Sequence, residues 1–219
     1  MNIRHHLDDA TLMAYAAGSL VPGMALLVAC HLERCPQCRE RLLQAEAVGG
    51  ALLEVLEPVA LEDSGDALAR VLERLDSEMP EPAPVARGAA RRDPDMPSAL
   101  AERLQGSLDG LQWRSLAPGV KQVDLHLGGP GATRLLRIAP GVSVPHHGHR
   151  GSELTLVLRG SYNDELGRFR AGDVADLDLE VSHQPLNDTD EDCICLIATD
   201  APLKFSGLMG RLVQPFIGM

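Results

Sequence analysis

The chain has 219 residues, a formal net charge of −11 and a pI of about 5.1, which opposes direct binding to nucleic acid because that needs a basic face. An aromatic content of 3% leaves little for stacking on bases or sugars. No apolar run approaches the roughly 20 residues of a membrane span, and the N-terminus, MNIRHHLDD, lacks a cationic stretch followed by an apolar one, so the expected location is the cytoplasm.

The first half reads as helical. Asp8 is placed to cap a helix over DATLMAYAAG, and Gly18 suits its end. A second helix starts at Pro22, a good first-turn residue, and runs to about Leu32. Pro36 opens a third, through CRERLLQAEAVGGALLEVL, which the Gly49-Gly50 pair weakens and allows to bend. After Pro58, DALARVLERLD places Leu68, Val71, Leu72 and Leu75 at i, i+3, i+4 and i+7, one apolar stripe. That stripe packs within its own domain or receives a partner; the pattern is the same for both.

Residues 80–97, PEPAPVARGAARRDPDMP, hold five of the fifteen prolines and read as a semi-extended linker. It separates a helical domain, 1–79, from a β domain, 98–219. In the latter, WRSLAPGVKQVDLHL is two short runs around a Pro-Gly turn, and TRLLRIA with VSVPHH forms another pair around Pro140-Gly141. ELTLVLRG and CICLIAT are further β-rich runs between clusters of Gly, Asn and Asp. Short strands at regular spacing with turn signals predict a barrel or jelly roll. The fold class is therefore α+β in two domains.

The stretch CHLERCPQC, Cys30 to Cys38, carries the first chemical signal. Five cysteines, an odd number, argue against a disulfide framework, and in a reducing cytoplasm close-set Cys and His read as metal ligands. His31, Cys35 and Cys38 give H-x3-C-x2-C, in which two thiolates bind one ion across a tight turn and neutralise Zn²⁺. A tetrahedral site needs a fourth ligand, for which His5 and His6 are the nearest candidates. A buried cysteine cluster with a helix-end histidine is the bland alternative. Cys30 points elsewhere on its helix and is left as core or a spare thiol.

The second signal is Gly141-VSVPH-His147-Gly-His149-RGS-Glu153-LTLVLR-Gly160, which fits G-x5-H-x-H-x3-E-x6-G. Downstream, Gly172, His183 and Asn187 fit the outer positions of G-x5-P-x-G-x2-H-x3-N, with Asp178 and Glu180 in place of its Pro and second Gly. These resemble the two cupin motifs. His147 and His149 are two apart on a strand and face one side, with Glu153 at the start of the next strand and His183 on a strand that folds back. The set suits Zn²⁺, with Fe, Mn and Ni as alternatives. His146 should face the opposite way, and His126 reads as an ordinary strand residue. Cys193 and Cys195 share one face of a strand; core packing is their default reading and a redox pair the alternative.

A helical zinc module followed by a cupin resembles the ChrR family of zinc-containing anti-sigma factors, over the whole chain. The residues that carry the resemblance are IRHHLDDATLMAYAAGSL, HLERCPQC and the cupin motifs. It implies that His6, with His31, Cys35 and Cys38, holds the module's zinc. It further implies that the module sequesters an extracytoplasmic-function-type sigma factor, hiding the surfaces that bind core RNA polymerase. The cupin half would sense an oxidative signal, notably singlet oxygen or its products, and release the sigma factor. The competing reading is a cupin metalloenzyme, a dioxygenase or isomerase with an accessory zinc module; a third is a cupin that only binds a small effector.

Overall fold

The structure, a computed structural model, describes residues 2–59, 64–76, 93–104 and 106–205. Most of the Pro-rich stretch expected to link the halves lies outside the described residues. Helices α1 (Asp9–Ala16), α2 (Pro22–Arg34), α3 (Pro36–Glu54) and α4 (Ser64–Asp76) form the first part, and a single turn, α5 (Ser98–Ala101), precedes the strands. Gly18 ends α1 in the left-handed region, at φ 65°. Asp8 occupies the N-cap position, but its side chain makes no capping hydrogen bond. Pro22 and Pro36 sit in the first turns of α2 and α3, where a missing N–H costs nothing. The Gly49-Gly50 pair does not interrupt α3.

Eleven strands are described: β1 (Arg114–Ala117), β2 (Val120–Asp124), β3 (Thr133–Ile138), β4 (His147–His149), β5 (Glu153–Arg159), β6 (Ser161–Asp164), β7 (Gly167–Arg170), β8 (Val174–Leu177), β9 (Ser182–His183), β10 (Cys193–Thr199) and β11 (Leu203–Phe205). Six of them form an antiparallel sheet in the order β1-β2-β3-β10-β5-β8. A three-stranded sheet, β11-β4-β9, and the hairpin β6-β7 complete the cupin half. The expected pairing of TRLLRIA with VSVPHH is not made. β3 pairs with β2 and β10, and the VSV run contributes only a single bridge, Ser143 to Leu186.

The continuous apolar runs of β5 and β10 follow from burial on both faces. Leu154, Leu156 and Leu158 of β5, with Ile194 and Leu196 of β10, face outward and share one core with Leu12 of α1, Leu27, Val28 and Cys30 of α2, Met96 and Leu100. The alternate residues Val157, Cys193 and Cys195 face inward with Tyr162, Phe169 and Leu177. The helical part is thus seated on the outer face of the cupin sheet rather than apart from it. Residues 93–101 join the same assembly. The Glu33 carboxylate accepts the N–H groups of Ser98 and Ala99 at 2.7 and 2.8 Å, and Arg159 is bound by Asp95 and Asp109.

Candidate metal centres

The α2–α3 joint is one residue, Cys35: α2 ends at Arg34 and α3 begins at Pro36. Cys35 is also the N-cap of α3, and its Sγ accepts the N–H of Cys38 at 3.4 Å. One turn back on α2, His31 directs Nε2 to 3.3 Å from Cys38 Sγ. His6, in the segment before α1, places Nδ1 3.2 Å from Cys35 Sγ and 3.6 Å from Cys38 Sγ. The four donor atoms lie within 4.8 Å of one another, and His31, Cys35 and Cys38 are buried. Metal–ligand bonds of about 2.0–2.3 Å set ligand separations of roughly 3.3–3.8 Å in a tetrahedral ion, so this donor set has the size and chemistry that zinc requires.

The protonation pattern agrees. His31 Nδ1 donates to the Gly172 carbonyl at 3.1 Å, which leaves Nε2 bare on the cysteine side. Burial lowers the His31 pKa to about 4 and also lowers that of His6, so both rings are neutral at pH 7. Burial pushes the metal-free Cys38 thiol up to about 11, so zinc would displace its proton. Gly172 holds φ 95°, a conformation that L side chains rarely adopt, and this turn aims its carbonyl at His31. His5 is turned to other contacts. Its Nε2 lies 3.2 Å from the Arg168 carbonyl, and its ring lies 4.1 Å from that of Phe169. Cys30 is in the core, where burial pushes its thiol up to about 12.

The second cluster, His147, His149, Glu153 and His183, likewise has donors within 4.8 Å of one another, and all four residues are buried. His147 Nδ1 donates to the Pro145 carbonyl at 2.9 Å, and His183 Nδ1 to the Asp164 carboxylate at 2.8 Å. Each ring therefore turns Nε2 inward, and the two Nε2 atoms face each other at 3.1 Å. Two lone pairs at that distance repel unless a proton or a metal ion lies between them. Burial, followed by the neighbouring His183, lowers the His147 pKa to about 4, so the His147 ring does not supply a proton there. Both ring nitrogens of His149 and Oε2 of Glu153 are buried without a hydrogen bond. Orphaned buried polar atoms of this kind are rare, and a bound metal would take Glu153 Oε2 and one His149 nitrogen together.

Sequence reasoning missed Asp164, which orients His183 from β6 and belongs to no motif. Only the fold brings β6 to β9. His146 is half exposed, with Nε2 3.9 Å from Glu165. His126 is not in a strand. It lies after β2 at φ 46°, its N–H donating to Asp124. Asp178 and Glu180 build their turn differently from the motif: the Asp178 side chain accepts the Glu180 N–H at 2.9 Å. Asn187 donates to the Ile138 and Glu191 carbonyls and is wholly buried. Cys193 and Cys195 Sγ atoms lie 3.6 Å apart, and their mutual hydrogen bond and burial hold the Cys195 thiol well above its ordinary range. Cys195 also lines a cavity of about 40 Å³ with Tyr162, His147, Glu153 and His183.

The family model described as the ChrR cupin-like domain matches residues 102–202. The crystal structure of Rhodobacter sphaeroides SigE in complex with the anti-sigma ChrR contains a chain 45% identical to this one, at a TM-score of 0.78. That match covers 91% of this chain and 100% of the matched one. The anti-sigma-E factor ChrR of Cereibacter sphaeroides is 49% identical over 216 residues, 99% of either chain. Identity at this level, over nearly the whole of both chains, means that the chain belongs to the ChrR family of anti-sigma factors.

Proposed function

We propose that this chain is a cytoplasmic anti-sigma factor that sequesters an extracytoplasmic-function-type sigma factor and releases it on an oxidative signal, singlet oxygen or its products. Residues 1–79 form the inhibitory module, with Zn²⁺ on His6, His31, Cys35 and Cys38. Residues 98–219 form the sensing cupin, with a divalent metal on His147, His149, Glu153 and His183. Zn²⁺ is the first choice there, and Fe, Mn or Ni fit the same donors.

The observation that carries this reading is α4. Leu68, Val71, Leu72 and Leu75 form one apolar stripe, and they are 68%, 55%, 51% and 72% exposed. A helix with a strong apolar face that its own fold leaves open is the form a groove-binding helix takes before it meets its partner. Leu52, Leu53 and Leu56, at and beyond the end of α3, are exposed as well. The relatives named above are anti-sigma factors, which supports a regulatory role over a metal-dependent dioxygenase or isomerase. Among the described residues no helix is long and apolar enough to cross a membrane.

The test is co-expression of the full chain with extracytoplasmic-function-type sigma factors from the same genome. One of them should co-purify with it and fail to transcribe in its presence. Normal transcription by all of them in the presence of the metal-loaded chain would refute the proposal.

A further inference from the structure

The segment that carries His6 is not held by the helices alone. β8 is an edge strand of the six-stranded sheet, and residues 4–8 run along it. Asp173, just before β8, is 1% exposed. Its Oδ1 accepts the N–H groups of Arg4 and His5 at 2.7 and 3.1 Å. Its Oδ2 accepts the N–H of Arg170 at 2.8 Å. The Val174 N–H donates to the His5 carbonyl at 3.3 Å, and Asp176 accepts the N–H of Asp8 at 3.0 Å. His6 lies between these anchor points. The adjacent Gly172 carbonyl holds the second ligand, His31. One cupin turn, residues 172–173, thus positions two of the four ligands of the thiolate site.

The same turn is tied to the other metal cluster. The Gly172 N–H donates to the carbonyl of Val157 on β5 at 2.8 Å, and the Val157 N–H donates to the Asp173 backbone carbonyl at 3.1 Å. β5 begins at Glu153, and Glu153 pairs with Leu177 at the far end of β8. A single strand pair therefore runs from a cupin ligand to the clamp on His6.

The geometry points to Asp173 as a positioning residue for the thiolate site, and to metal occupancy of the two clusters being linked through the β5–β8 pair. This rests on the metal reading proposed above. A carboxylate is required because three N–H donors converge on it. An amide keeps one acceptor oxygen and turns N–H groups toward a donor. Loss of a group that orients metal ligands costs about 10–100-fold in affinity.

The experiment uses the full chain with Co²⁺ as probe. The thiolate-to-cobalt charge-transfer band reports the site with Cys35 and Cys38, because the cupin cluster has no thiolate. Asp173→Asn should weaken Co²⁺ binding at that band by about tenfold or more while the cupin cluster retains its metal. Glu153→Gln, which weakens the cupin site, should lower thiolate-site affinity when Asp173 is present and leave it unchanged in the Asp173→Asn background, a double-mutant cycle. Wild-type affinity at the thiolate band in Asp173→Asn, or equal loss at both clusters, would overturn the proposal. So would a Glu153→Gln effect of equal size in both backgrounds. If Asp173→Asn does not fold, Asp176→Asn, which leaves the Arg4 and His5 clamp intact and disturbs only the Asp8 anchor and a Thr11 contact, should weaken the band a few-fold, and no change there would overturn it. A wild-type chain with no thiolate band would instead mean that the metal reading itself has failed.

Discussion

Replacing Leu68 and Leu75 with alanine separates a docking face from a packing face. These side chains are 68% and 72% exposed, so about seven-tenths of each is still available for burial by a partner. Full burial of a leucine side chain is worth about 1.5–3 kcal/mol, so each retains about 1–2 kcal/mol for association, and the pair about 2–4 kcal/mol. That corresponds to a Kd increase of roughly 30- to 1,000-fold for the sigma factor. The chain's own stability should move by no more than about 0.5 kcal/mol, because little area is lost and alanine is the best helix former. Calorimetric titration of the purified sigma factor gives the first quantity, and urea unfolding of the chain alone gives the second. An unchanged Kd, or a weakened Kd matched by an equal loss of stability, would refute the reasoning and return the stripe to the protein's own core.

Leu27→Ala removes a wholly buried side chain from the core shared by α2 and the cupin sheet; it should cost about 2–5 kcal/mol in urea unfolding. Asp164→Asn takes the carboxylate from His183 Nδ1 and should lower metal affinity of the cupin cluster about 10–100-fold in a chelator competition, with the thiolate site unaffected. The metal-free chain should be acid-labile through His31 and His147, whose pKa values are lowered from 6.5 to about 4. Below pH 6.5 the unfolded chain takes up protons that the folded chain refuses, so their stabilisation is complete above pH 6.5 and is lost as pH falls toward 4. Between about pH 7.5 and about pH 5, each should contribute a loss of about 2 kcal/mol, measured by urea unfolding; a flat profile would refute it.

Most of both candidate clusters was legible because it rests on local spacing. His31, Cys35 and Cys38 meet across one helix joint, and His147 and His149 alternate on one strand. Helix starts at Pro22 and Pro36 were legible for the same reason, since first-turn proline is a local signal. The choice between His5 and His6 was not. It depends on Arg168 and Phe169, more than 160 residues away, which engage the His5 ring. Strand partners were equally hidden. TRLLRIA and VSVPHH are adjacent in sequence, but β3 is claimed by β10, whose register is set by a core on both faces of the sheet. Asp164 and Asp173 act on ligands that lie on other strands or in the helical part, and no motif contains them.

The placement of the ligands says which part can move. Three candidate ligands of the thiolate site flank the α2–α3 joint, and α2 itself is bolted into the core by Leu26, Leu27 and Val28. α3 is different: its buried residues are Cys38 and Ala45, and its outer half exposes Val48, Leu52 and Leu53. The direction in which α3 leaves the core is therefore set near its first turn, by Cys35 and Cys38 and by the Arg41 guanidinium, which bonds Asp9 and the Leu7 carbonyl. Leu7 and Asp9 flank Asp8, whose N–H is held by Asp176 of β8 just beyond the segment clamped by Asp173. A change at the cupin cluster that loosens β8 would thus free the entry to α1 and the base of α3 together, while leaving α2 seated. On the proposed reading, release of the sigma factor needs no unfolding of the module. It needs only a change in the angle of one helix about a one-residue joint.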